Sequence, residues 1–480
     1  MFGINLEALL VLYGQLRGDV VLIVGLCVAI VTTGHILLTK RDVGTAIGWI
    51  GLAWLSPIVG GILYFSFGIN RVRRRARRMR DGRGEGDPQA IKAALDRDDH
   101  LAPLECAGRR ISRRPALPGT AFCMFHNGDQ AYPAMLAAIG TATTSIAMSS
   151  YIFRDDETGA RFIEALVAAQ QRGAQVRVII DGIGGGYLRS PAYHRLRRAG
   201  VPVGRFMHTV LPWRMSFLNL RTHKKLLLID GRMGFTGGMN IALQNLVTTD
   251  PPNPVRDTHF LFEGPVVGQL MEAFAADWSF VKDEDLEGEV WFPPLAPAGE
   301  GVIARVITSG PDADEEHVES IVHEAIVCAR QSILILTPYF LPDERIVTSL
   351  ALAAVRGVQI DIVVPERNDH PFMEHAMLAH VAPLLANGCR IWRNAPPFDH
   401  SKVMVIDSHW SLIGSANWDV RSFRLNFELV VEIYDYTVAV QLEALVKSRQ
   451  DKPLTQALLD SRPLAFRLRD AAMRLALPYL

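Results

Sequence analysis

The chain is poor in cysteine, has no surplus of charge of either sign and shows no cluster with metal-ligand spacing. Its five cysteines, Cys27, Cys106, Cys123, Cys328 and Cys389, are scattered, odd in number and without a C-x-x-C pair. That argues against a disulfide framework and against a zinc site, and fits a reducing compartment for the main body. Fifty Lys and Arg balance fifty Asp and Glu, so the whole chain is no trap for polyanions, and attraction to anionic partners must come from local patches. Nucleic acid, which is bound through a basic surface, is therefore not an expected partner. No cofactor or metal is expected either. What the chain has in quantity is apolar sequence: 49% of 480 residues, enough for two or three domains and a large core.

The apolar excess is concentrated near the N-terminus. Val20 to Leu38 is a run of 19 residues whose only ionisable group is His35, and Ala46 to Phe67 is a run of 22 with none. A hydrocarbon core is crossed by about 20 residues, so the two runs predict a transmembrane helical hairpin, kinked in its second arm at Pro57 and Gly60-Gly61. No A-x-A-like cleavage site separates them, which argues against a signal peptide. Seven arginines follow between Arg71 and Arg80. By the positive-inside rule this flank faces the cytoplasm, although Lys40 and Arg41 lie in the turn between the runs. The N-terminus and the body then share the cytoplasmic side, and the arginines suit anionic lipid headgroups. The expected organisation is an anchor over 1–80, a Gly/Pro-rich charged linker over 81–120 with a short helix at Ala90 to Leu95, and two domains over 121–292 and 302–480.

Those two domains read as one unit duplicated. Ser145 to Tyr151 predicts a strand, Glu157 to Arg172 a helix and Val176 to Ile180 another strand. The second half replays this with Ser332 to Tyr339 and with Arg356-Gly-Val-Gln-Ile-Asp-Ile-Val-Val364, the counterpart of Arg172-Gly-Ala-Gln-Val-Arg-Val-Ile-Ile180. Alternation of this kind predicts an α/β fold built of βαβ units on a mixed or parallel sheet, its halves related by a pseudo-twofold.

The repeat carries chemistry. His223-Lys-Lys225-Leu-Leu-Leu-Ile-Asp230 recurs as His400-Ser-Lys402-Val-Met-Val-Ile-Asp407, and Asn240 recurs as Asn417, each pair 177 positions apart. Alternate strand residues share a face, so His223 and Lys225 point together, as do His400 and Lys402. Two such strands brought together by pseudo-symmetry converge two imidazoles and two ammoniums. That set suits a phosphodiester. Lysines neutralise the non-bridging oxygens, Asn240 and Asn417 add hydrogen bonds to substrate, one neutral histidine attacks phosphorus, and the other gives and takes the proton of the alcohol. Histidine fills both roles because its pKa of about 6.5 lies near working pH. Asp230 and Asp407 either orient the site or cap turns. Glu428 is placed to orient a histidine, and Asp257 and His259 are its weaker counterparts.

With the further blocks Thr236-Gly-Gly-Met-Asn240, Glu263-Gly-Pro265, Asp277-Trp278 and Gly414-Ser-Ala-Asn-Trp-Asp-Val-Arg-Ser422, the chain resembles the phospholipase D superfamily and, within it, the membrane-anchored bacterial cardiolipin synthases. It departs from their pattern where Val255 and Arg256 replace an aromatic residue before Asp257. The resemblance implies two tandem phospholipase D-like α/β domains and a bacterial cytoplasmic-membrane location. His223 would be the nucleophile and His400 the general acid. The reaction implied is transfer of a phosphatidyl group between two phosphatidylglycerols through a phosphohistidine, giving cardiolipin and glycerol. A hydrolytic phospholipase D, another phosphatidyltransferase and, more distantly, a nuclease use the same residues. Anionic phospholipids and the bilayer are the expected partners; none of these features bears on oligomeric state. Phe206 to Leu220, with Trp213 and Phe217, suits a lipid-facing rim or ordinary core, and Pro463 to Leu475 suits the bilayer surface or packing on the domain.

Overall fold

In the apolar N-terminal runs the backbone hydrogen-bonds to itself, as helix. The protein is seen here in a computed structural model that describes residues 6–40, 43–68, 100–208, 220–311 and 316–475. The arginine flank, the expected helix at Ala90 to Leu95, and Trp213 and Phe217 lie outside these residues. The first helix, Leu6–Thr39, outruns the apolar stretch, and its part Asp19–Thr39 is long and apolar enough to cross a membrane. The second run is a helix, Val43–Leu55, that stops at Ser56 and resumes as Pro57–Leu63 before a π turn at Tyr64–Gly68. The break falls where Pro57 has no N–H to donate. Leu22, Leu38 and Leu55 are 71%, 88% and 89% exposed. A surface so rich in large aliphatic side chains demands an apolar surrounding or a partner.

The remaining described residues form a separate α/β unit built on one 16-stranded sheet, 15 strands on a continuous path and Arg221–Thr222 paired beside it with Asn426–Tyr434. From the edge of the first half inward, its strands are Val203–Phe206, Gln175–Asp181, Ser145–Ser150, Leu226–Ile229, Met233–Gly237, Thr258–Glu263 and Leu117–His126. The second half then runs outward in the mirrored order: Val302–Ser309, Asn426–Tyr434, Trp410–Gly414, Val403–Ile406, Ser332–Leu336, Gln359–Pro365, Arg390–Asn394, with Lys452–Leu454 added at the far edge. The halves join where Leu117 opposes Ala304 and Thr120 opposes Val302, antiparallel. An antiparallel pair of equivalent strands has a local twofold between them, so the expected pseudo-twofold lies at this junction.

The local reasons repeat in each half. Helices Glu157–Gln171 and Glu344–Val355 start at Asp156 and Asp343, whose carboxylates accept from first-turn amides, a stabilising N-cap. Both end just before a glycine at φ +104° (Gly173) or +96° (Gly357), a backbone conformation that glycine adopts without steric cost. The short strands Leu226–Ile229 and Val403–Ile406 are buried throughout, which is why they read as unbroken apolar runs rather than alternating ones.

The segment expected as linker becomes helix from Ala102 to Ser112, and its Leu104, with Leu101, is part of the second half's core. Fully buried Arg305 fixes it there: the guanidinium pairs with Glu432 and with Glu105, and donates to the Glu105 carbonyl at 3.1 Å. Removing one partner of such a buried pair costs on the order of 3–5 kcal/mol, because the other charge is left uncompensated.

Candidate active site

Each histidine is delivered by a two-residue strand that leaves its own half. Arg221–Thr222 pairs in parallel with Asn426 and Phe427 of the second half, and Phe398–Asp399 pairs in parallel with Val255 and Arg256 of the first. The backbone bonds continue into the motif: the His223 amide donates to the Phe427 carbonyl at 2.9 Å, and the His400 amide to the Arg256 carbonyl at 2.8 Å. The two imidazoles meet with ring centroids 6.4 Å apart and planes at 80°. Both side chains are almost wholly buried, 8% and 12% exposed.

The exchange of strands also exchanges carboxylates. His223 Nδ1 lies 3.0 and 3.1 Å from the two oxygens of Glu428, and 2.9 Å from the Ser415 carbonyl. A carbonyl only accepts, so Nδ1 carries the proton and the neutral ring keeps its lone pair on Nε2. His400 Nδ1 lies 2.8 Å from Asp257 of the opposite half. Glu428 also accepts from the Ser415 hydroxyl at 2.5 Å and the Asn426 amide at 3.2 Å, and Asp257 from the Thr258 amide at 2.8 Å. Gly238, the counterpart of Ser415, has no room for a side chain: a Cβ there would stand 2.4 Å from Asp257 Oδ1.

Burial dominates the electrostatics. It pushes both imidazoles well below the usual histidine range, and Lys225 and Lys402 push them further. It lifts Glu428 to about 7 against the pull of Lys225, and Asp257 to about 8 against that of Lys402. Burial thus disfavours charge on every member of both pairs. Lys225 donates to the His223 carbonyl at 2.6 Å and sits 5.3 Å from the centre of the Tyr151 ring, which packs edge-on against His223. Lys402 donates to the His400 carbonyl. Burial drives the Lys225 amine well below the lysine range and the Lys402 amine down to about 8.

The other expected site residues divide. Asn240 Oδ1 accepts from the Ile152 amide at 3.1 Å, which leaves its NH₂ end for other partners, and Asn417 is buried, its Oδ1 without a partner among the described residues. Asp230 and Asp407 are not brought to the histidines. Seven positions further on, each lies roughly 20 Å away along a near-extended chain. Asp230 accepts from the amides of Thr143, Thr144 and Ser145, and Asp407 from those of Arg330, Gln331 and Ser332. Burial raises both carboxyls, but these amides outweigh it and hold them below the ordinary value. At φ 52° and 50°, they clamp the end of the motif strand to the start of its neighbour, the turn-capping alternative. His259 lies in the strand Thr258–Glu263, buried, driven to about 3 by burial and Lys225.

Sequence reasoning ranked Asp257 too low, because the repeat slips there. Glu428 follows Asn417 by 11 residues, whereas Asp257 follows Asn240 by 17, the first half carrying two short 3₁₀ turns, Leu243–Asn245 and Val247–Thr249, in between. Elsewhere, Glu319, His323 and Asp343 bring possible metal-ligand atoms within 4.8 Å of one another. Arg345 binds Glu319 at 2.6 Å and Asp343 at 2.8 Å, and Arg424 binds Asp343 at 2.7 Å, so guanidiniums already serve these carboxylates.

A family model described as "Cardiolipin synthase, PLD-like domain" matches residues 135–278 and 322–449, and one described as "Phospholipase_D-nuclease N-terminal" matches residues 27–68. The chain is similar to the major cardiolipin synthase of Bacillus subtilis (strain 168), 31% identical over 464 residues, which span 92% of this chain and 95% of that protein. Cardiolipin synthase A of Pseudomonas aeruginosa (strain UCBPP-PA14) is 31% identical over 463 residues, 92% and 91% of the two chains. Among solved structures, the phosphatidylserine synthase of Haemophilus influenzae Rd KW20 has the same fold, with a TM-score of 0.60 at 14% identity over 79% of this chain and all of that one.

Proposed function

The chain belongs to the cardiolipin synthase family of phospholipase D-like proteins, and from that premise we propose that it makes cardiolipin by moving a phosphatidyl group from one phosphatidylglycerol to another. The observation that carries this reading is the pair of imidazoles 6.4 Å apart, each with a lysine of its own motif and a carboxylate of the opposite half. His223 Nε2 attacks phosphorus, and a P–N bond forms as the P–O bond to glycerol breaks. His400, protonated, passes its proton to the departing glycerol oxygen. It then takes the proton of the second lipid's hydroxyl, whose oxygen attacks phosphorus and releases His223. In this reading Lys225 and Lys402 supply the cations for the non-bridging oxygens, with the NH₂ end of Asn240 and the amide of Asn417 as further contacts. The negative charge of the bound phosphate favours the imidazolium and so the proton on His400, and Asp257 stabilises that imidazolium.

In this reading both apolar runs cross the membrane, the arginines from Arg71 to Arg80 keep the body on the cytoplasmic side, and protease protection in spheroplasts tests that side. The C-terminal helix Leu464–Arg474, with Leu464 and Leu468 exposed, suits the lipid surface. Purified protein given phosphatidylglycerol is expected to release cardiolipin and glycerol in equal amounts, resolved by mass. Phosphatidic acid without cardiolipin would make the protein a hydrolase instead.

A pH profile tests the lysines. Lys402 is charged below about 8 and loses its proton above it. Because kcat/KM reports the free enzyme, it is expected to fall as pH rises through about 8. Lys402→Arg, which keeps its proton, is expected to carry that limb upward; a limb that stays put assigns the titration to another group.

A further inference from the structure

The two motifs are alike, but the cleft they share is not symmetric. Two residues before His223 stands Arg221, and two before His400 stands Phe398. Arg421, in the short helix Val420–Arg424 that follows Asn417, has Gln244 as its counterpart 177 positions earlier. One side of the histidine pair is therefore aromatic. Phe398 lies 6.1 Å from the His400 ring and 6.1 Å from Tyr339, which stacks on His370 at 6.0 Å. The other side is cationic. Arg221 donates to the Tyr151 hydroxyl at 3.0 Å, and Tyr151 packs edge-on against His223 with centroids 5.0 Å apart. Arg221 Nε is buried and, among the described residues, without a hydrogen-bond partner.

Arg421 lies beside it through the fold, since its helix Val420–Arg424 runs straight into Asn426, the residue that pairs with Arg221; burial and the Arg221 charge lower its hold on its proton. The acidic groups facing the pair are Asp181 and Asp419. Asp181 accepts from the amides of Ile183, Gly184 and Thr222, and Asp419 from that of Ser422, and each also acts on the charge of the neighbouring guanidinium.

The chemistry asks for such a place. A phosphatidylglycerol acting as acceptor brings its own phosphodiester, one glycerol unit from the hydroxyl that attacks. Two phosphate anions then share a buried cleft, where their repulsion is poorly screened. In the transfer reading Lys225 and Lys402 serve the phosphate under attack. Water and simple alcohols bring no second anion.

We infer that Arg221 and Arg421 form a second phosphodiester subsite, which holds the phosphate of the acceptor lipid and so favours transfer to phosphatidylglycerol over transfer to a neutral acceptor. Guanidiniums suit the task through paired donors matched to phosphate oxygens. Arg221 and Arg421 are specificity residues in this scheme, outside the bond-making steps.

The inference rests on the phosphatidyl-transfer reading, and one experiment separates the two. Full-length protein receives phosphatidylglycerol together with methanol, and cardiolipin and phosphatidylmethanol are measured in the same tube. For Arg221→Gln and Arg421→Gln the ratio of cardiolipin to phosphatidylmethanol is expected to fall about 10- to 100-fold, the size of a lost charge-assisted hydrogen bond, with partial recovery in Arg421→Lys. A ratio that stays put, whether both products fall together or neither does, overturns the subsite. Wild-type protein that makes phosphatidylmethanol but no cardiolipin defeats the transfer reading itself, and the inference with it.

Discussion

Replacing His223 with alanine is expected to lower turnover roughly 10⁶-fold, the scale of losing a nucleophile, and to leave no covalent phosphatidyl adduct under any condition. His400→Ala is expected to differ in kind. With phosphatidylglycerol it too loses several orders of magnitude, since glycerol is a poor leaving group without a proton. With a phosphatidyl nitrophenol the leaving group needs no proton, so the first step proceeds. The second step still needs a base for the acceptor hydroxyl, so the adduct accumulates on His223. Acid-quenched protein examined by mass spectrometry distinguishes the two variants. The structural ground is the Ser415 carbonyl, which holds the proton of His223 on Nδ1 and frees Nε2 to attack. An adduct on His400 in the His223→Ala protein would exchange the two roles.

How far these residues could be read beforehand depends on whether their partners are local. The repeat H-x-K-x-x-x-x-D is a local pattern, and strand periodicity alone sets each histidine beside its lysine. The duplication implied the mirrored strand order, because two copies of one fold that share a sheet pair equivalent strands about a twofold. The exchange of Glu428 and Asp257 between halves was not legible. It depends on which two-residue strand pairs with which, Arg221 with Asn426 and Phe398 with Val255, and nothing within either strand specifies a partner about 150 to 200 residues away. The motif aspartates stayed open between two roles for a related reason. Spacing shows that Asp230 and Asp407 end a strand, but only the fold shows three backbone amides waiting there. The helix Ala102–Ser112 was hidden by its charge: Glu105 and the arginines around it read as solvated linker until Arg305, a strand residue in the other half, gives Glu105 a buried partner.

The exchanged carboxylates lead to a second large effect. Asp257→Asn and Glu428→Gln each keep the shape of the side chain and remove its charge, and each is expected to lower kcat by about 10²- to 10⁴-fold, the range seen when the acid behind a catalytic histidine is neutralised. The step that slows should differ. Without the Asp257 charge, the His400 imidazolium loses its counter-ion, so proton delivery to glycerol and proton removal from the acceptor both suffer. An activated leaving group bypasses only the first, and phosphatidyl-His223 should build up in Asp257→Asn as it does in His400→Ala. Without the Glu428 charge, it is the attacking ring that loses support as it becomes positively charged on bonding to phosphorus. Adduct formation slows, and little adduct should be present at any time. The Ser415 carbonyl still holds Nδ1–H in Glu428→Gln, which places its loss toward the lower end of the range. Rapid-quench measurement of the adduct, one variant against the other, decides the matter. Equal adduct levels in the two would mean that these carboxylates do not divide between the histidines as the crossed strands arrange them.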